Sequence, residues 1–199
     1  METLLETERL RLRRFTLADS DHLFGLDNDP EVMRYLNGGV PTPRQVIEQD
    51  ILPSFMQVDA AHPAFGFWAA EQKETGRFVG WFSLRPFPQN PQAATLGYRL
   101  VRIFWGRGLA TEGVRALIAW GFSELGVERV VATTYEHNIL SRRVMEKVGM
   151  VLIRRFRLTP EALQNTDTFY TGTLEVWDGE DVEYALEKSA WEKQQNDNR

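Results

Sequence analysis

The fold is decided by Gly97-Tyr98-Arg99-Leu100-Val101-Arg102-Ile103-Phe104-Trp105-Gly106-Arg107-Gly108-Leu109-Ala110-Thr111 and by the run that continues from it to Gly149. Gly97 to Leu100 reads as a strand. Gly106 and Gly108 then turn the chain immediately ahead of a helix that opens near Leu109. Glycine lets the backbone curl and approach a ligand closely. The first N–H groups of a helix have no partner inside it, and the dipole there favours an anion. Strand, Gly-x-Gly turn and helix start together make either a phosphate cradle or an ordinary tight turn, and the turn alone does not choose.

The helix is predicted by spacing. Ala110, Val114, Leu117, Ile118, Gly121, Phe122 and Leu125 recur at helical intervals, and Gly126 is a C-terminal stop. Gly113 and Gly121 lie inside this helix, where each costs roughly 1 kcal/mol against alanine. Close packing on a sheet is a structural reason to keep them. Glu128 to Thr134 is rich in β-branched residues and reads as a second strand. Asn138 is an N-cap for a second helix whose apolar stripe is Leu140, Val144, Met145 and Val148, with Gly149 at its end. Two successive strand–helix units predict a locally parallel sheet with ligand binding at the strands' carboxyl ends.

The remainder of the chain is consistent with one domain. With 199 residues, 43% hydrophobic and 26% charged, it has enough material for a substantial core. The net charge of −5 argues against broad binding to nucleic acid or acidic membranes. The absence of cysteine excludes disulfides, thiolate metal sites and a cysteine nucleophile. His22, His62 and His137 are too scattered to suggest a metal ligand set. With neither a signal-like nor a membrane-length apolar run, a soluble cytoplasmic protein is expected.

Leu10 and Leu12 alternate with Arg9, Arg11 and Arg13, which predicts a first strand with one wet face. Thr16 to Asp19 is a capping box opening a helix to about Asp27, and Asp29-Pro30 opens another that Gly38-Gly39 breaks. Thr42-Pro43 repeats the cap–proline signal for a helix carrying Val46, Ile47 and Ile51, which Pro53 kinks or ends. Residues 65–71 and 77–85 are aromatic-rich strands joined at Lys73 to Gly76. Their aromatic rings are candidates for an acceptor pocket, with core packing the better default. Pro86 to Gln92 reads as an exposed loop. Further strands are expected at residues 150–158, 173–177 and 181–186, with a polar loop, or a loop carrying a short helix, over 159–171. A short helix around Trp191 and a disordered tail over 194–199 end the chain.

Leu96-Gly97-Tyr98-Arg99-Leu100 with Phe104-Trp105-Gly106-Arg107-Gly108-Leu109-Ala110-Thr111-Glu112 resembles the acetyl-CoA motif of the GNAT N-acetyltransferase superfamily. Asn138-x-x-Ser141-x-x-Val144-Met145-Glu146-Lys147-x-Gly149 resembles its second cofactor motif. The wording is closest to the ribosomal-protein N-terminal acetyltransferase (Rim-type) branch. Trp105 fits that branch, where the superfamily often has Gln or Arg. So do Glu6-Thr7-Glu8-Arg9-Leu10-Arg11-Leu12-Arg13, Asp29-Pro30-Glu31-Val32-Met33 and Val182-Glu183-Tyr184-Ala185-Leu186. The resemblance implies an α/β (α+β) fold with a mixed, centrally splayed β-sheet of about six to seven strands and helices on both faces. It implies a single N-acetyltransferase domain over residues 1–193.

By that resemblance, the protein moves an acetyl group from acetyl-CoA to a primary amine, at a protein N-terminus or on a small molecule. The backbone from Trp105 through Gly106, Arg107, Gly108, Leu109, Ala110 and Thr111 holds the pyrophosphate. Leu100 and Val101 pair with the pantetheine arm, and one of their N–H groups is the oxyanion donor. Asn138 contacts the same arm. Ser141 lies near the thiol, where its hydroxyl protonates the leaving thiolate. Asn138 and Ser141 also read as a plain N-cap and a first-turn hydroxyl. Arg142, Arg143 and Lys147 are either ligands of the 3′-phosphate or a solvated face.

The general base is unassigned. Thr95 stands where family members often carry a glutamate and cannot do its work. Glu136, His137 and a water chain to Glu71 are the alternatives. Thr95 keeps open a non-catalytic acyl-CoA-binding or regulatory module. A dinucleotide-binding protein is disfavoured, since the third glycine of Gly-x-Gly-x-x-Gly and a P-loop lysine are missing. No metal and no nucleic-acid or membrane partner is implied, and both a monomer and a homodimer are compatible.

Overall fold

The computed structural model describes residues 3–57, 63–87, 90–157 and 179–197. These form one eight-stranded sheet in the order β1-β2-β3-β4-β5-β6-β8-β7. The strands are β1 (Thr3–Glu6), β2 (Leu10–Arg13), β3 (Gly66–Gln72), β4 (Phe78–Phe87), β5 (Asn90–Leu100), β6 (Arg129–Tyr135), β7 (Val151–Phe156) and β8 (Asp181–Glu187). The count exceeds the six to seven expected because β1 folds back on β2 ahead of the anticipated first strand. All neighbours are antiparallel except β5 and β6.

That parallel pair frames the candidate site. Its register runs only over Ala93–Thr95 against Arg129–Val131. Beyond it, β5 stays on β4 to Leu100 while β6 stays on β8 to Tyr135. The sheet therefore splays at its middle.

Side-chain alternation sorts the core into two layers. On one face Trp68, Phe82, Leu84, Leu96 and Val130 pack with Leu117, Ile118 and Phe122 of α5 (Leu109–Glu124) and Met145 of α6 (Ile139–Lys147). Trp191 of α7 (Lys188–Asp197) closes that layer. On the other face Phe67, Ala69, Phe78 and Trp81 meet residues from four helices. These are α1 (Ser20–Asp27), α2 (Pro30–Asn37), α3 (Arg44–Val46) and α4 (Leu52–Met56). Most of the aromatic residues considered for a pocket are thus core.

The expected glycine packing in α5 holds. A Cβ on Gly113 would lie 2.3 Å from the Phe82 ring, and one on Gly121 would lie 2.7 Å from Leu84. The stops and caps at Gly126, Gly149, Gly38, Asp29 and Thr16–Asp19 also stand where the sequence puts them.

Four expectations need correction. Arg13 is buried, because Asp19 and Glu71 reach it at 2.7 Å each under the α1 side of the sheet. Pro53 neither ends nor interrupts the helical run. Wide turns over Ile47–Ile51 lead into α4, and Pro53 occupies its first turn, where no donor is required. Pro86, Phe87 and Asn90 to Gln92 continue β4 and β5 instead of forming a loop. Gln194 to Asp197 extend α7, with Gln194 packed against Gly149. The strand expected at 173–177 and the loop over 159–171 lie outside the described residues.

Candidate active site

The turn after β5 is built by its own side chains. A 3-10 turn over Arg102–Phe104 buries Phe104. The Trp105 indole N–H donates to the Leu100 carbonyl at 2.7 Å and pins the turn to the strand end. Gly106 and Gly108 both take positive φ, 71° and 80°, conformations that a side chain disfavours. A Cβ on Gly106 would meet nothing within 4 Å, so that side of the turn is open. The first helical backbone bond runs from Glu112 N–H to Gly108 O at 3.0 Å. The N–H groups of Leu109, Ala110 and Thr111 precede it and have no helical carbonyl to meet. Open space, unspent donors and a helix start of 16 residues fit a pyrophosphate. The Arg107 guanidinium lies 5.8 Å from the Phe104 ring centroid, within the same turn.

The cradle is fastened from a distance. Glu112 accepts from Arg9 Nε at 2.7 Å, from Arg9 N–H at 2.9 Å and from Thr7 Oγ1 at 2.5 Å. Arg9 Nη1 donates to the Arg107 carbonyl at 3.0 Å. Burial opposes the shift, but these donors hold the Glu112 carboxyl below its ordinary value. Its charge at the first turn is therefore matched by Arg9. In the sequence Thr7 and Glu112 carry only the family resemblance, and Arg9 reads as part of the wet face of a first strand. Nothing local in the sequence couples Arg9 to Glu112, because the contact spans 103 positions.

At the splay, Val101 N–H donates to Val79 O at 2.9 Å. It is spent on β4 and cannot serve as the oxyanion donor, which corrects the expectation for Val101. N–H directions alternate along an antiparallel strand. The Leu100 N–H therefore points to the open, β6 side. Across the gap, Asn138 accepts from Ser141 N–H at 3.3 Å as the N-cap of α6, and its amide donates to Thr134 at 3.2 Å. The Tyr98 hydroxyl donates to the Ser141 carbonyl at 3.0 Å and lies 3.0 Å from Ser141 Oγ. Burial pushes the Tyr98 phenol up to about 12 against the opposing Ser141 bond, so it stays protonated. Tyr98 thus ties β5 to Ser141 across the splay, a contact that no local sequence signal marks.

The candidate bases sort themselves by partner. Glu71 of β3 is held by Arg13 of β2, and β3 stands two strands from the splay. Glu136 accepts from Glu180 N–H at 2.8 Å and pairs with Arg155 at 2.8 Å. The Glu180 N–H is the first cause of its lowered pKa, with burial opposing and His137 and Arg155 adding to it. His137 is exposed and sits edge-on to Tyr135. Arg142 is committed to the Tyr184 hydroxyl at 3.1 Å and the Glu136 carbonyl at 3.0 Å. Arg143 and Lys147 are exposed on α6. Among the described residues no cluster of three His, Asp or Glu could hold a metal, and no helix is long and apolar enough to cross a membrane.

A family model described as an acetyltransferase (GNAT) domain matches residues 9–151. The FsC-acetyl coenzyme A-N(2)-transacetylase of Aspergillus fumigatus is 32% identical over 185 residues, covering 87% of this chain and 77% of that protein. RimL, a ribosomal alpha-N-protein acetyltransferase solved in complex with coenzyme A, shares the fold with a TM-score of 0.74. It is 17% identical, and the match covers 95% of this chain and 99% of RimL. Spermidine N-acetyltransferase from Vibrio cholerae, solved with CoA and spermine, gives a TM-score of 0.71 at 13% identity, over 93% and 99% of the two chains.

Proposed function

This chain belongs to the GNAT acetyltransferase family, and from that membership we propose that it moves an acetyl group from acetyl-CoA to a primary amine by direct attack in a ternary complex. The observation that carries the reading is the Gly106–Gly108 turn at the start of α5, standing beside the gap between β5 and β6. Acetyl transfer needs a held pyrophosphate, a deprotonated amine near the thioester, and stabilisation of the oxyanion and the leaving sulfur. The N–H groups from Arg107 to Thr111 take the pyrophosphate, with Arg107 adding charge. The pantetheine arm lies in the gap along Leu100, whose N–H faces the oxyanion. Asn138 borders the arm. The Ser141 hydroxyl, oriented by Tyr98, donates to the departing sulfur. The acceptor is an amine on a peptide N-terminus or a small molecule such as a polyamine, two classes that fold relatives act on.

Thermal unfolding with acetyl-CoA, CoA, NAD and ATP in parallel tests this. At a hundred times its dissociation constant a ligand adds about 2.7 kcal/mol, or roughly 5–10 °C for a chain of this size. Acetyl-CoA and CoA are expected to give that shift and NAD and ATP none. CoA thiol release with an amine present then separates a transferase from a module that only binds. In Ser141→Ala, turnover is expected to fall about 10-fold or more while the acetyl-CoA shift persists. Absence of a shift with either CoA species would overturn the reading.

A further inference from the structure

We propose that Asp181 is the general base, taking the proton from the acceptor amine on the face of the sheet opposite Ser141. The inference rests on the transferase reading above and supplies the group that Thr95 lacks.

Asp181 is the first residue of β8. It stands across from Tyr135, the last residue of β6, and from Phe156, the last residue of β7. Alternation fixes its face. Val182 and Tyr184 belong to the core layer under α5 and α6, so Asp181 points to the other side, towards the α1–α4 face. Tyr135 shares that face and meets Tyr35 of α2 at 5.9 Å between ring centroids. Asp181 therefore sits beside the carboxyl end of β6, where the sheet opens, half-buried between its cross-strand neighbours Tyr135 and Phe156. Ser141 approaches the same opening from the α6 side.

The other carboxylates that bear on this region are spent. Asp19 and Glu71 share Arg13, Asp27 pairs with Arg99, Asp29 with Arg102, Glu136 with Arg155, and Glu183 with Arg154. Among the described residues the Asp181 carboxylate has no ion-pair or side-chain hydrogen-bond partner. Among the described residues, the charged and titratable groups beside it by strand position are Glu180 just before β8, Glu136 and His137 just after β6, and Arg154, Arg155 and Glu183 on β7 and β8. Tyr135, its cross-strand neighbour, meets Tyr35. Arg155 is held by Glu136 at 2.8 Å and lies 3.8 Å from Glu180. Burial first, and the Glu136 charge second, push the Asp181 carboxyl up to about 6. A base near that value is ionised at neutral pH yet holds a proton better than an ordinary aspartate.

The step balances. The Asp181 carboxylate takes one proton from the acceptor ammonium, directly or through one water, and the neutral amine attacks the thioester carbonyl carbon. The C–N bond forms and the carbonyl oxygen becomes the oxyanion. Collapse breaks the C–S bond, and the second nitrogen proton reaches the leaving sulfur by way of the Ser141 hydroxyl. Amide and CoA thiol leave, and Asp181 returns its proton to water.

The test measures kcat/KM against pH for wild type, Asp181→Asn and Asp181→Glu. The acceptors are an alanine-initiated peptide and spermidine, with acetyl-CoA thermal shifts alongside. Wild type is expected to show an acidic limb near pH 6, below the limb set by the amine itself. Asp181→Asn should lose about 100-fold or more and lack the lower limb, while keeping the acetyl-CoA shift. Asp181→Glu should recover part of the rate. A second readout is independent of turnover. A carboxyl whose folded pKa is raised favours folding below its unfolded value, near 3.9, and that contribution is lost as pH rises through 6. Asp181→Asn should therefore melt higher than wild type at pH 8. Carbon-13 titration of the wild-type carboxyl should give the same value as the rate limb. An Asp181→Asn enzyme that keeps the wild-type profile, or loses rate but keeps the lower limb, overturns the assignment. So does a mismatch between the NMR titration and the limb. A wild type with neither an acetyl-CoA shift nor CoA release overturns the transferase reading itself, and Asp181's role with it.

Discussion

A methyl group added at Gly113 would meet the rim of Phe82 at 2.3 Å, and Phe82 is fully buried. Gly25 in α1 has nothing within 4 Å of the same position. Helix propensity favours alanine at both sites by about 1 kcal/mol. Gly113→Ala is nevertheless expected to destabilise by about 1–3 kcal/mol, because overpacking outweighs propensity. Gly25→Ala should stabilise by about 0.5–1 kcal/mol. Urea unfolding of the two variants decides it, and equal effects would mean that α5 moves freely on the sheet. The sequence showed that Gly113 was misplaced on propensity grounds and so had a packing reason. Which ring it met required the sheet. The same holds at Val101. The strand was legible, but the partner that consumes its N–H was not, since nothing near Val101 in the sequence identifies Val79.

The cradle is a local element held by a remote one. Its turn follows from two glycines, one indole and a helix start, all within eight residues. Its attachment to the β1–β2 connection runs through Glu112, which gathers Thr7 and Arg9. Glu112→Ala leaves the glycines and the helix in place and removes that fastening. Acetyl-CoA affinity is expected to fall about 10-fold, equivalent to about 1.4 kcal/mol, by calorimetric titration. Arg9→Ala should cost a similar amount, and the double variant little more than either alone, because the two act as one contact. Additive losses would show two independent contributions. Helices α5 and α6 and strands β3 to β6 were readable from periodicity and caps. The missed pieces were those where a local signal competes with tertiary fit. Pro53 reads as a breaker until wide turns precede it, and Pro86 reads as a loop until β5 pairs beside it.

For the molecule as a whole, acid should reveal the Arg13 cluster. Burial would raise the Asp19 carboxyl, but the Arg13 guanidinium, the Thr16 N–H and His22 outweigh it and hold it at about 2. A depressed carboxyl adds stability that is present above its unfolded pKa and lost as pH falls through the folded one. Between pH 4 and pH 2 the wild type is therefore expected to lose roughly 2 kcal/mol that Asp19→Asn does not lose, measured by urea unfolding at each pH. Identical pH slopes would remove Asp19 from the balance. Arg13 was read as solvated because alternation describes one strand and says nothing of what covers its outer face. By itself the sequence determined the order of strands and helices from Arg9 to Gly149, the glycine turn, the N-cap at Asn138 and the family. Each is set by neighbours a few residues apart, through propensity, capping and backbone freedom. Only the tertiary structure decided where β5 leaves β6, which carboxylates are neutralised, and that Tyr98 meets Ser141 and Asp181 meets Tyr135. Those pairings depend on sheet register and strand order, which bring distant residues within a few ångströms and leave no mark on the spacing of either.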